Sequence, residues 1–115
     1  ENKSLSTPST VDSIPTGAGQ EDFVSMAPWA GRKLVKISEN IEKILGIELI
    51  TALQGLDFRK GLKSSPAIEN ARTHVRKIIP ELKCDRFMED DLQNAVYLVK
   101  SGEVINKVED RLKLK

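Results

Sequence analysis

The sequence predicts an all-α protein, with an irregular N-terminal arm followed by one long helix and two or three shorter ones. Three observations carry that prediction. Apolar residues recur at three- and four-residue steps from about Pro28 to Asp57, the spacing that lines one face of a helix. Two later stretches, Ser64-Ser65-Pro66 and Glu89-Asp90-Asp91, open with helix-start chemistry. Aromatic residues make up only 4% of the chain, so a core has to come from Ile, Leu, Val and Ala, a composition that suits packed helices.

The arm covers residues 1–19 and leads up to a loop. It is rich in Ser, Thr, Gly and Pro, with Pro8, Pro15, Gly17 and Gly19 as punctuation. It shows neither helical nor alternating periodicity, so disorder of the isolated arm is expected, although Val11 and Ile14 beside Asp12 and Pro15 give it some docking character.

A single helical domain is expected over residues 20–115. Its long helix starts near Pro28, with Ser25 in the cap region and Pro tolerated in the first turn. Leu34, Ile37, Ile41, Ile44 and Leu45 form the stripe, and Lys33, Lys36, Glu39 and Lys43 fall between them. From Ile44 to Leu53 the apolar residues cover nearly the whole circumference. A helix that is apolar all round is normally buried on every side, which two short companion helices cannot achieve.

The second helix is expected to start with Ser65 as cap and Pro66 in first position. It should run through Ile68, Ala71, Val75 and Ile78 until Pro80 stops it. The third begins near Glu89-Asp90-Asp91, whose acids favour the positive end of the helix dipole. Its expected apolar face is Leu92, Ala95, Val96 and Val99, and Ser101-Gly102 should end it. Residues Glu103 to Lys115 read as a last, frayed helix or an ordered arm.

Composition excludes several classes of function. The chain has 115 residues, 18 Lys plus Arg and 17 Asp plus Glu, for a formal charge of +1. The two signs are interleaved, whereas nucleic-acid binding needs a one-sided positive excess, so no nucleic-acid partner is expected. Cys84 is the single cysteine, which leaves no disulfide framework and no thiolate cluster for a metal. A reducing, cytoplasmic setting fits. The run from Ile44 to Leu53 is interrupted by Glu48 and too short to cross a bilayer, and no apolar segment of signal-peptide type follows Glu1-Asn2-Lys3, so no membrane association is expected.

One segment resembles a known family. Ser6-Thr7-Pro8-Ser9-Thr10-Val11-Asp12-Ser13-Ile14-Pro15, followed by Gln20-Glu21-Asp22-Phe23-Val24-Ser25-Met26, is similar to the late active-site region of histidine ammonia-lyases. The resemblance continues through Arg32-Lys33-Leu34, Glu48-Leu49, Ala52 to Asp57 and Ser64-Ser65-Pro66-Ala67, covering most of residues 6–100 in the family's order. It implies a C-terminal piece of the helical-bundle ammonia-lyase fold. The implied reaction is removal of ammonia from an aromatic amino acid, with L-histidine giving urocanate as the leading case.

The family's electrophile is a methylidene-imidazolone group formed from an internal Ala-Ser-Gly, which does not occur in this chain. The resemblance therefore implies that the group lies in an N-terminal portion of the same enzyme, and that this chain alone is inactive. It also implies a homotetramer packed through the long helix, with active sites assembled from several chains.

Residue by residue, Glu21 matches the family's active-site glutamate, implied to handle a proton or bind the imidazole. Gln20 matches the adjoining substrate-side position. A carboxylate at Glu21, where lyases for other aromatic amino acids carry Gln, favours histidine because it pairs with a protonated imidazole. The chain departs from the pattern at Phe23, where histidases usually have His, and at Gly19, where Asn is common.

Taken without the family, Glu21 and Asp22 are simply acids near a helix start. Glu48 reads best as a structural ion-pair partner for a neighbouring helix. His74, between Arg72 and Arg76, reads as a solvated histidine with no metal-ligand spacing around it. Cys84 reads as a plain thiol, and Trp29 and Phe23 as packing anchors. Two functions from different classes remain: part of a carbon–nitrogen lyase that donates the Gln20-Glu21 loop, or a catalytically inactive helical module that keeps only the oligomer surface.

Overall fold

The computed structural model describes residues 1–112 apart from Val11, Asp12 and Asp22. The docking character assigned to Val11 and the helix-start role considered for Asp22 lie outside the described residues. Among those residues the secondary structure is helical, with no strands: α1 (Asn2–Leu5), α2 (Ala27–Phe58), α3 (Pro66–Arg76), α4 (Glu89–Lys100) and α5 (Glu103–Glu109). The contacts fall into two compact units, Glu1–Ile41 and Glu42–Lys115, and α2 contributes residues to both.

In the first unit the arm is more regular than its composition suggests. α1 closes its single turn with backbone hydrogen bonds from Leu5 to Glu1 and from Ser6 to Asn2, both 3.0 Å. The arm is tied to α2 by polar groups. Asn40 is buried, and its Nδ2 donates to Asn2 Oδ1 at 2.8 Å and to Glu1 Oε2 at 3.3 Å. Lys33 Nζ donates to the Thr7 carbonyl. Periodicity cannot reveal such contacts because the arm supplies hydrogen-bonding groups, not an apolar stripe. Trp29 and Phe23, expected as anchors, are both largely exposed.

In the second unit the helix starts follow the sequence closely. Ser65 Oγ accepts from the Ile68 amide at 3.4 Å and Pro66 occupies the first turn of α3. α3 ends at Arg76, ahead of Pro80, where the backbone tightens: the Lys77 amide donates to the His74 carbonyl at 3.2 Å and the Ile78 amide to the Val75 carbonyl at 3.0 Å, each three residues back. That turn delivers Ile79 into the core, where Leu53, Val75, Ala95 and Leu98 meet it. Leu49, Ile50, Leu56 and Val104 pack against this cluster. Gly46 is buried where α2 passes α4. A Cβ at that position would lie 3.2 Å from the Val96 backbone nitrogen, so the close approach needs the missing side chain. Past α4, Gly102 takes φ 73°, a left-handed conformation that glycine adopts freely, and the chain turns into α5.

Two expectations are corrected in this unit. The buried face of α4 is Asp91, Ala95 and Leu98, whereas the sequence suggests Leu92, Ala95, Val96 and Val99. Arg86 draws Asp91 inward, with Nε 2.9 Å and Nη2 2.8 Å from Asp91 Oδ2, and so rotates the helix by about one position. His74 is not a freely solvated side chain either. Its Nε2 lies 3.0 Å from Glu103 Oε2, and one turn earlier Asn70 Nδ2 donates to the Lys107 carbonyl at 2.6 Å. Together they clasp α5 to α3.

The hydrogen bond with His74 holds the Glu103 carboxyl below its ordinary value, helped by bonds with Tyr97 and Ser101 and opposed by burial. Glu69 is lowered in the same sense, first by the Ser64 amide that donates to it at 2.9 Å. A carboxyl depressed in the folded state stabilises the fold fully above its unfolded value, here 4.5. That contribution disappears as pH falls through the lower folded value. The urea midpoint is therefore expected to fall between about pH 5 and about pH 3, and Glu103→Gln should make the fall shallower. An equally steep fall in that variant would remove the clasp from the acid response.

Candidate active site

Gln20 and Glu21 sit on a hairpin-like loop that leads into α2. Its two sides are joined twice. The Val24 amide donates to Ser13 Oγ at 3.0 Å, and closer to the tip Thr16 and Glu21 form an antiparallel bridge, with the Glu21 amide donating to the Thr16 carbonyl at 3.2 Å. The tip itself is Gly17-Ala18-Gly19, with φ of 61°, 56° and 83°. Three successive residues in the left-handed region form a reversal that glycine adopts freely and alanine adopts at a cost of about 1 kcal/mol. Ser25 Oγ then accepts from the Ala27 amide at 3.4 Å, at the start of α2.

This local geometry decides how Glu21 is presented. Its backbone is fixed by the bridge, its stem lies over Gly17, and its carboxylate accepts a hydrogen bond from Thr16 Oγ1 at 2.9 Å. Both Gln20 and Glu21 are exposed. The turn thus places the two expected site residues side by side at the surface, with one carboxylate aimed outward in a restrained direction. Thr16 is the residue that sequence reasoning passed over. Its signal was present: a hydroxyl five positions before an acid, with Gly-Ala-Gly between them.

The other singled-out residues lie elsewhere. Glu48 is exposed and makes no ion pair among the described residues, so the expected structural pairing is not found. Cys84 is an exposed free thiol. Within α2, Ile44, Leu45 and Ile47 are 55%, 43% and 53% exposed, and only Leu53 of this apolar run is fully buried. No helix among the described residues is long and apolar enough to cross a membrane.

The profile of the family described as aromatic amino acid lyase matches residues 1–77. The chain belongs to that family. Among its relatives, a histidine ammonia-lyase of Desulfotalea psychrophila is 49% identical over 102 residues, which is 89% of this chain and 20% of the relative. The crystal structure of histidine ammonia-lyase from Trypanosoma cruzi superposes with a TM-score of 0.87 at 38% identity, over 94% of this chain and 21% of that one. A tyrosine aminomutase from Streptomyces globisporus superposes with a TM-score of 0.82 at 29% identity, over 90% and 20% of the two chains.

This aromatic amino acid lyase chain therefore spans about a fifth of the length of the curated relatives it matches. The expected all-helical fold and the family resemblance are both borne out, and the family match includes the Gln20-Glu21 turn.

Proposed function

We propose that this chain is the C-terminal part of an ammonia-lyase that eliminates ammonia from an aromatic amino acid, with L-histidine converted to urocanate as the preferred reaction. The observation that carries this reading is the restrained, outward carboxylate of Glu21, in a chain of the aromatic amino acid lyase family. Glu21 is assigned the proton-handling or imidazole-binding role, and Gln20 a substrate contact beside it. A fixed carboxylate favours histidine because it can pair with a protonated imidazole and stabilise that form beside it.

The electrophile that makes ammonia a leaving group in this chemistry is the methylidene-imidazolone. It is assigned to a portion of the same enzyme outside these residues, because no Ala-Ser-Gly is present here to form it. The outward presentation of Gln20 and Glu21 fits a site completed by other parts of the enzyme. On this reading the isolated chain is inactive, and the enzyme works in the cytoplasm.

The exposed run on α2 supports the partner part of the proposal, a homotetramer packed through the long helix. Soluble proteins seldom leave such apolar surface uncovered. The isolated chain is expected to self-associate at micromolar concentration, and Ile44→Glu should shift it toward monomer in sedimentation. A monomeric wild-type chain would remove the α2 assembly. The same exposed run also favours the second reading, a catalytically inactive oligomerisation module derived from the family.

Glu21→Gln separates the two readings. In the full-length protein it is expected to lower turnover about a hundredfold, with folding intact because the residue is exposed on a turn. The rate is followed by the ultraviolet absorbance of the conjugated acid, with histidine, tyrosine and phenylalanine in parallel. Wild-type turnover in the variant would take Glu21 out of the mechanism, and absence of turnover in the wild type would favour the module.

A further inference from the structure

We propose that Thr16 is a positioning residue for Glu21, aiming the carboxylate at the substrate through the hydrogen bond from its hydroxyl. The inference rests on the assignment of Glu21 to the reaction. A glutamate at an exposed turn ordinarily samples several rotamers, and a hydrogen bond between exposed side chains is usually too weak to choose among them. Here the restraint comes from more than one contact. Thr16 receives the Glu21 amide at 3.2 Å on its carbonyl and gives its hydroxyl proton to Oε2 at 2.9 Å. One residue thus grips both ends of the glutamate.

The turn between them is built at a conformational cost. Ala18 is held at φ 56° between glycines that are themselves left-handed. Backbone strain of this kind persists where the surroundings require it, and it gathers at functional sites. The cost has a geometric result: the reversal returns the chain within five residues so that Thr16 and Glu21 face each other. With one oxygen engaged by Thr16, the other carboxylate oxygen is left for an incoming group. Gln20, by contrast, has no side-chain hydrogen bond among the described residues and stays free to adapt to the substrate.

The test is a double-mutant cycle in the full-length enzyme, using the amino acid that the wild type turns over fastest. Thr16→Val keeps the shape of the side chain and removes the hydroxyl. It is expected to lower kcat about tenfold with a smaller change in KM, and Thr16→Ser should restore most of the rate. In a Glu21→Gln background, Thr16→Val should cost nothing further, because a residue that acts only through the carboxylate has nothing left to act on.

An equal loss in both backgrounds would reduce Thr16 to a part of the turn, and an unchanged Thr16→Val enzyme would also overturn the proposal. Either result leaves Glu21 in place if Glu21→Gln alone is slow. A Glu21→Gln enzyme as fast as wild type would instead overturn the assignment of Glu21, and the Thr16 proposal with it.

Discussion

Replacing Asp57 with Asn is expected to destabilise the helical unit by about 3–5 kcal/mol, read as a lower urea midpoint with an unchanged slope. Asp57 lies near the end of α2 and its side chain is only 7% exposed. It is gripped by two arginines of α3: Arg72 Nη2 at 2.6 Å on one oxygen and Arg76 Nη2 at 2.5 Å on the other. The hydrogen bond to Asp57 is also what raises Arg72 above the usual guanidinium value.

An amide in place of the carboxylate can accept from one arginine but carries no charge, so it leaves two half-buried cations facing each other. Arg76 is poorly placed to adapt, because its Nε is already buried without a partner. Glu69, which also meets Arg72 at 3.3 Å, is more exposed, and Glu69→Gln should lower the urea midpoint far less than Asp57→Asn. Similar losses in the two variants would mean that burial is not what gives the clamp its strength.

That clamp marks the limit of what the sequence discloses. The starts of α2, α3 and α4 were legible because caps, prolines and acids act within one turn of where they stand, whereas α3 stops at Arg76, short of the Pro80 expected to end it. Gln20 and Glu21 were legible through a family pattern, and the turn that carries them was announced by Gly17 and Gly19. What stayed hidden were pairings between distant residues: Asp57 with Arg72 and Arg76, His74 with Glu103, and Asn40 with Asn2. Each joins polar groups 15 to 38 positions apart, and periodicity holds no information about such pairs. The all-round apolar run on α2 was legible as a surplus, since the structure buries Leu53 and leaves Ile44 and Ile47 more than half exposed. The pattern shows the apolar surplus on α2 and carries no information about a partner for it.

The orientation of α4 yields the second large prediction. Leu98 is fully buried among Leu53, Val75, Ile79 and Ala95, so Leu98→Ala opens a cavity in the centre of the unit. It is expected to cost about 3 kcal/mol, combining lost transfer energy with the unfilled space. Leu92, which the apolar pattern places on the same face, is 37% exposed, and Leu92→Ala should cost less than about 1 kcal/mol. The difference has one physical source. Arg86 holds Asp91 inward, and a helix that buries residue 91 also buries its neighbours four and seven places on, which are Ala95 and Leu98. Residue 92 is then rotated out, beside Ile47 and Phe87 in an open groove. Urea unfolding of the two alanine variants separates the alternatives. If Leu92→Ala proved the more damaging, α4 would have to be turned by one position and the Arg86–Asp91 pair would lose its role in setting the core.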